Sequence, residues 1–181
     1  MASGLKAAAC LMNHFERLGL PRRFALDPAE LERNYLVRSR EVHPDHAGND
    51  RASLEASAAL NEAYAILRDP FRRADYLLTL EGGPTAAEQK QAAPEFLEEM
   101  LDLRMRIEEV KHAAESSERV TLERDLTLRR EALLGEAGGL FEKLAPLPPD
   151  DAARPGLLVR IRQTLNATKY IQGLLRDLDE E

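Results

Sequence analysis

The 181-residue chain has no tryptophan, one cysteine and only 5% aromatic residues. The lone Cys10 excludes an internal disulfide and any metal site built from clustered thiolates, so the fold must hold by packing alone. Long apolar runs are also missing. The longest stretches are a few residues, far short of the roughly 20 that span a bilayer, and the first residues lack a basic segment followed by an apolar one. No membrane contact is expected, and a cytoplasmic compartment follows, or the mitochondrial matrix if the source is eukaryotic. An excess of positive charge is absent as well. Residues 1 to 80 carry 11 basic and 11 acidic side chains, residues 81 to 181 carry 14 and 21, and the net charge is -7, which argues against nonspecific nucleic-acid binding.

Alternating apolar patterns, β-branched runs and Asn-Gly hairpin signals are scarce, whereas Ala, Leu, Glu and Arg abound. This composition predicts an all-α protein. With 44% hydrophobic and 31% charged residues, the chain can form one domain with a fair core or two small ones. The best boundary is Glu81-Gly82-Gly83-Pro84, where glycines can end a helix and proline prevents its resumption.

In the first half, Asp27-Pro28-Ala29-Glu30 combines an N-cap acceptor, a proline at the first helical position and a carboxylate three residues after the cap. A helix should begin at Pro28, turn Leu31, Tyr35 and Val42 inward, and stop before Pro44. Arg38 interrupts that seam. After a polar loop, His43 to Asp50, a second helix capped by Asp50 or Ser53 presents Ser57, Leu60, Tyr64 and Leu67, so the two should pair as a hairpin. Arg68-Asp69-Pro70 ends it, Phe71 to Leu80 supplies a short third helix, and Phe15 and Leu18 upstream can close the base of the hairpin.

His43 and Asp45 flank a proline, with His46 and Asp50 nearby, so acid-base chemistry or metal ligation is one reading. The loop offers no nucleophile, however, and the tip of a short hairpin is a poor place for a water-excluding pocket. A solvated turn is the plainer reading.

The order and spacing of four blocks point elsewhere. They are Phe15-Glu16-Arg17-Leu18-Gly19-Leu20; His43-Pro44-Asp45; Leu60-Asn61-Glu62-Ala63-Tyr64-Ala65-Ile66-Leu67-Arg68-Asp69-Pro70; and Arg73-Ala74-Asp75-Tyr76. Together they resemble a J domain. The resemblance implies that His43, Pro44 and Asp45, with the outer face of the preceding helix, dock on a DnaK-type chaperone and trigger its ATP hydrolysis. Arg33 and Arg40 lie on that outer face. Relatives commonly carry bulky apolar residues where this chain has Arg38, and more basic ones where it has Leu36 and Val37.

In the second half, a long helix should begin after Pro94, with Phe96, Met100, Leu103, Ile107 and Val110 as its core seam. Leu97, Leu101 and Met105 form a second stripe about 100° around the axis, bordered by Glu98, Asp102, Glu108 and Glu109. From periodicity alone the simpler reading is one wide core-facing stripe. Two further helices, about Ser117 to Leu144 and Pro155 to Leu178, can close a three-helix bundle, the first of them frayed or kinked near Gly135, Gly138 and Gly139.

Gly19-Leu20-Pro21, Tyr76-Leu77-Leu78 with Leu80, and Phe96-Leu97-Glu98-Glu99-Met100-Leu101-Asp102-Leu103-Arg104 resemble the HscB family, J-proteins of iron-sulfur cluster assembly. That resemblance implies a J domain at about 11–81, a linker at 82–93 and a scaffold-binding bundle at 94–179. It implies two protein partners, an IscU-type scaffold and a DnaK- or HscA-type chaperone, and it implies an adaptor with no cofactor or metal of its own, not an enzyme. Leu97, Leu101, Asp102 and Glu109 would fall on the scaffold-binding face, Tyr170 near it. Met105 and Glu98 exchange apolar and acidic character relative to the family pattern. Other readings remain: a J-protein with a different client, a structural module with an inert loop, or a metal-dependent hydrolase using His43, Asp45 and His46.

Overall fold

A computed structural model describes residues 12–42, 51–90, 94–110 and 117–179. Among these residues there are seven helices and no strand, and two compact units divide between Leu77 and Leu78. None of the described helices is long and apolar enough to cross a membrane.

The first unit starts with α1, His14–Leu18, held at both ends by local hydrogen bonds. The Asn13 side chain accepts from the Glu16 amide at 3.0 Å while the Glu16 carboxylate accepts from the Asn13 amide at 3.1 Å, a reciprocal box that satisfies two otherwise free donors. Gly19 ends the helix at φ 64°, a left-handed conformation costly for residues with a Cβ, and the Gly19 and Leu20 amides donate to the Glu16 and Phe15 carbonyls. Helix α2, Pro28–Val42, begins where the cap signal placed it, with the Asp27 carboxylate accepting from the Ala29 amide at 2.9 Å. Helix α3, Arg51–Arg68, packs against α1 and α2, and Asp69 caps α4, Pro70–Leu80, by accepting from the Arg72 amide.

Phe15, Leu18, Ala63, Leu67 and Ala74 are wholly buried, so the base of the hairpin is closed as the apolar spacing implied. Higher up, the Tyr35 ring stacks on Tyr64 at 4.2 Å and its hydroxyl donates to Asn61, while the Asn34 amide group donates to the Leu18 carbonyl. These contacts fix how α2 is rotated about its own axis. Arg38 keeps its place on the seam and is half-buried: the side chain extends over Gly19, where a Cβ would meet the guanidinium at 2.8 Å. His14 lies against Tyr76, and burial holds its imidazole below the usual pKa, so it is a neutral packing residue near pH 7.

The second unit opens on the end of α4. Gly82, at φ 75°, donates to Thr79, and Gly83 donates to Leu78, the paired bonds of a Schellman stop. Its bundle comprises α5, Pro94–Val110, α6, Ser117–Leu144, and α7, Arg154–Asp179. Phe96, Met100, Ile107 and Val110 of α5 meet Leu122, Leu126 and Leu133 of α6 and Ala167, Ile171, Leu174 and Leu178 of α7 in one core. The expected weakness in α6 is not found. The helix runs unbroken through Gly135, Gly138 and Gly139, with Ala137, Gly138, Leu140 and Phe141 buried, so tertiary packing offsets the poor helix propensity of glycine.

Residues 81–90 are fastened along α7. Glu81 pairs with Arg154 at 2.7 Å, the Arg162 guanidinium donates to the Pro84 carbonyl at 2.8 Å, and the Asn166 side chain donates to the Gln89 carbonyl at 2.7 Å. Arg154 also donates to the Leu147 carbonyl just beyond α6. Arg162 is only 3% exposed, so Arg162→Leu leaves a carbonyl without its charged donor; a loss of about 1–3 kcal/mol is expected in urea unfolding.

Candidate functional site

Two surfaces carry the candidate residues, one on each unit. On α2 the buried side is Leu31, with Asn34, Tyr35 and Arg38 making the cross-helix contacts, so the opposite side faces outward. Arg33 and Arg40 are both exposed there. Leu36 and Val37 lie between them, 49% and 56% exposed. The helix ends at Val42, and His43, Pro44 and Asp45, with His46 and Asp50, lie outside the described residues. Among the described residues no three His, Cys, Asp or Glu side chains are grouped to hold a metal ion.

On α5 the two apolar stripes part company, which corrects the single wide stripe that periodicity favours. Phe96, Met100, Ile107 and Val110 fill the core, whereas Leu101 and Met105 are 63% and 59% exposed. The reason is geometric: α6 and α7 occupy the side of α5 centred on Phe96 and Ile107, and Met105 projects roughly opposite, at 3.6 residues per turn. Asp102 and Glu109 are exposed beside this strip, supplying an acidic margin. The Leu97 side chain lies outside the described set, although its backbone is in α5. Tyr170, on α7, is half-buried with its ring edge-on to Phe96 at 6.1 Å.

Sequence reading did not find a neighbouring open cleft of about 510 Å³, framed by α5, α7 and residues 86–90. Tyr170, Leu174 and Gly173 form part of its wall, and Lys90, Arg104 and Lys169 bring positive charge to it, with Asp177. The three cations are far apart in sequence, and only the fastening of residues 81–90 to α7 brings Lys90 near the other two. A local signal existed in Arg104, three residues from Leu101 and thus its neighbour on the helix surface. Among the described residues this face of the second unit combines an apolar strip, an acidic margin and an open basic cleft, features found on protein-binding surfaces.

Comparison with known proteins divides the chain in the same way. A family model of the DnaJ domain matches residues 13–76, and one described as the HSCB C-terminal oligomerisation domain matches residues 92–179. The chain is similar to a co-chaperone protein HscB homolog of Burkholderia thailandensis, at 36% identity over 153 residues covering 81% of this chain and 87% of that one. A homolog of Burkholderia mallei matches at 35% identity with the same coverage. Among solved structures, chaperone HscB from Vibrio cholerae aligns with a TM-score of 0.71 at 25% identity, covering 93% of this chain and 96% of that one. Human co-chaperone protein HscB aligns in fold with a TM-score of 0.75 at 21% identity, covering 93% and 81%.

Proposed function

This chain belongs to the HscB family of J-domain co-chaperones, and from that premise we propose that it delivers an IscU-type iron-sulfur scaffold to a DnaK- or HscA-type chaperone in the cytoplasm and stimulates the chaperone's ATPase. The observation that carries the scaffold half of this reading is the exposure of Leu101 and Met105 on a helix whose other face is fully packed. Two large apolar side chains rimmed by Asp102 and Glu109 lose water favourably only against another protein surface. The family resemblance assigns Tyr170 and Leu97 to the same scaffold-binding site, and any cluster carried by the scaffold is cargo.

The adaptor works by proximity. Its bundle holds the scaffold while α2 and the His43-Pro44-Asp45 segment engage the ATP-bound chaperone, so the scaffold reaches the chaperone's peptide site at a high effective concentration. Proline at the loop restricts the backbone before binding and so reduces the ordering cost, and Asp45 can accept charge-assisted bonds from an arginine. Hydrolysis itself is carried out by the partner.

Single-turnover ATP hydrolysis by the same organism's HscA- or DnaK-type chaperone tests this reading. The expected result is stimulation by this protein that grows when the scaffold is added. Stimulation with no response to scaffold would assign the chain to another client, and no stimulation of either chaperone would overturn the proposal.

A further inference from the structure

The outward strip of α2 has an unexpected centre. Residues 33, 36, 37 and 40 follow the i, i+3, i+4, i+7 spacing that places four side chains on one face, about 10 Å long at 1.5 Å per residue. Stepping 100° per residue, this strip falls diametrically opposite the side that carries Leu31, Asn34, Tyr35 and Arg38. The two middle positions are Leu36 and Val37, both about half exposed, and the two outer ones are the exposed Arg33 and Arg40. Single exposed aliphatics are ordinary, but two that flank the outward line of a packed helix between two arginines, one of them β-branched, are not what a merely solvated face needs.

We propose that Leu36 and Val37 form the apolar centre of the chaperone-docking face, and that the chaperone meets them with an apolar depression bordered by carboxylates that receive Arg33 and Arg40. This rests on the co-chaperone reading above and specifies its partner's surface. Charge complementarity selects the occupant: cations at both ends of the strip need acidic groups spaced across an apolar floor, and a second copy's strip would bring arginine against arginine. A docking face of exposed cations alone weakens steeply with salt, whereas the apolar centre persists when charges are screened. The strip therefore favours a chaperone with this depression over one offering only an acidic patch.

The test titrates the chaperone's single-turnover ATPase with wild type, Leu36→Ser/Val37→Ser, Leu36→Met/Val37→Met, Arg33→Gln/Arg40→Gln and His43→Gln, at low and high KCl. The serine pair is expected to raise the half-saturating concentration roughly thirtyfold, the apolar content of two half-exposed aliphatics, without changing the rate at saturation. The methionine pair should restore wild-type behaviour, which separates lost apolar contact from a disturbed fold. The arginine pair should remove most of the salt dependence while leaving substantial affinity. If His43→Gln abolishes stimulation but the serine pair titrates like wild type, the co-chaperone reading stands and the apolar centre is overturned. A wild-type dimer in sedimentation that the serine pair dissolves, with stimulation unchanged, would assign the strip to self-association instead. A wild type that stimulates no chaperone removes both proposals.

Discussion

Replacing His43 with glutamine is expected to return the partner's ATP turnover to its unstimulated rate while leaving the stability of this chain and its affinity for the scaffold unchanged. Binding to the chaperone and triggering it are separable demands. In the docking face proposed above, Arg33, Leu36, Val37 and Arg40 would offer a broad contact along α2, which would set how much protein is needed. The His43-Pro44-Asp45 segment follows that helix directly in sequence and, on the proposed function, would contribute its chemistry at one point. Glutamine retains a hydrogen-bonding group but lacks the imidazole ring, so a role for the ring is removed with little change in size. The hairpin beneath depends on Leu31, Tyr35, Leu60 and Tyr64, so thermal unfolding should not move. Single-turnover hydrolysis at saturating concentration reads the loss, and a scaffold titration of the same variant reads the unaffected bundle. Residual stimulation at the wild-type level would mean that the loop does not trigger hydrolysis.

Helix starts in this chain were legible because their signals are local. Asp27-Pro28 specifies an acceptor and a fixed φ within two residues, and α2 begins there; Gly82 ends α4 at a left-handed φ that only an unsubstituted Cα adopts freely, and the Gly83 amide closes the stop on the Leu78 carbonyl. The core seam of α5 was legible for the same reason, since 3.6-residue periodicity is written in the sequence itself. What periodicity does not encode is how wide a face the neighbouring helices cover. By periodicity alone Leu101 and Met105 therefore read as core, and only the family resemblance set them on a binding face before α6 and α7 are seen on the other side of α5. Glycine propensity misled in the opposite direction, because the buried surface around Ala137 and Phe141 holds α6 together.

The side-chain bonds along α7 were illegible for another reason. Arg154, Arg162 and Asn166 find their partners 73 to 78 residues earlier, and an arginine on a helix reads as solvated until a carbonyl from a distant segment is brought to it. The basic cleft beside Tyr170 follows from that same long-range closure. Arg38 shows a milder form of the problem: its place on the apolar seam is visible, but the room for its side chain over Gly19 depends on the unsubstituted turn that ends α1.

Leu101→Glu combined with Met105→Glu is expected to weaken scaffold binding about a hundredfold or more, again with no loss of fold. Both side chains are more than half exposed, so the substitutions open no cavity, and glutamate is a good helix former. Their effect falls on the bound state. Central apolar anchors in protein interfaces commonly contribute about 2 kcal/mol or more each, and every 1.4 kcal/mol is a factor of ten in affinity. The variant also places two carboxylates where the partner expects an apolar surface, beside the existing charges of Asp102 and Glu109, so desolvation and repulsion add to the lost contact. Exchanging the pair for Leu101→Met with Met105→Leu preserves volume and apolar character and should retain binding. Calorimetric titration with the purified scaffold measures all three proteins, while chaperone stimulation without scaffold should be equal in each, because α2 and the His43 loop are untouched. Unchanged affinity in the glutamate pair would move the client site away from this face of α5, even in a chain whose J domain remains active.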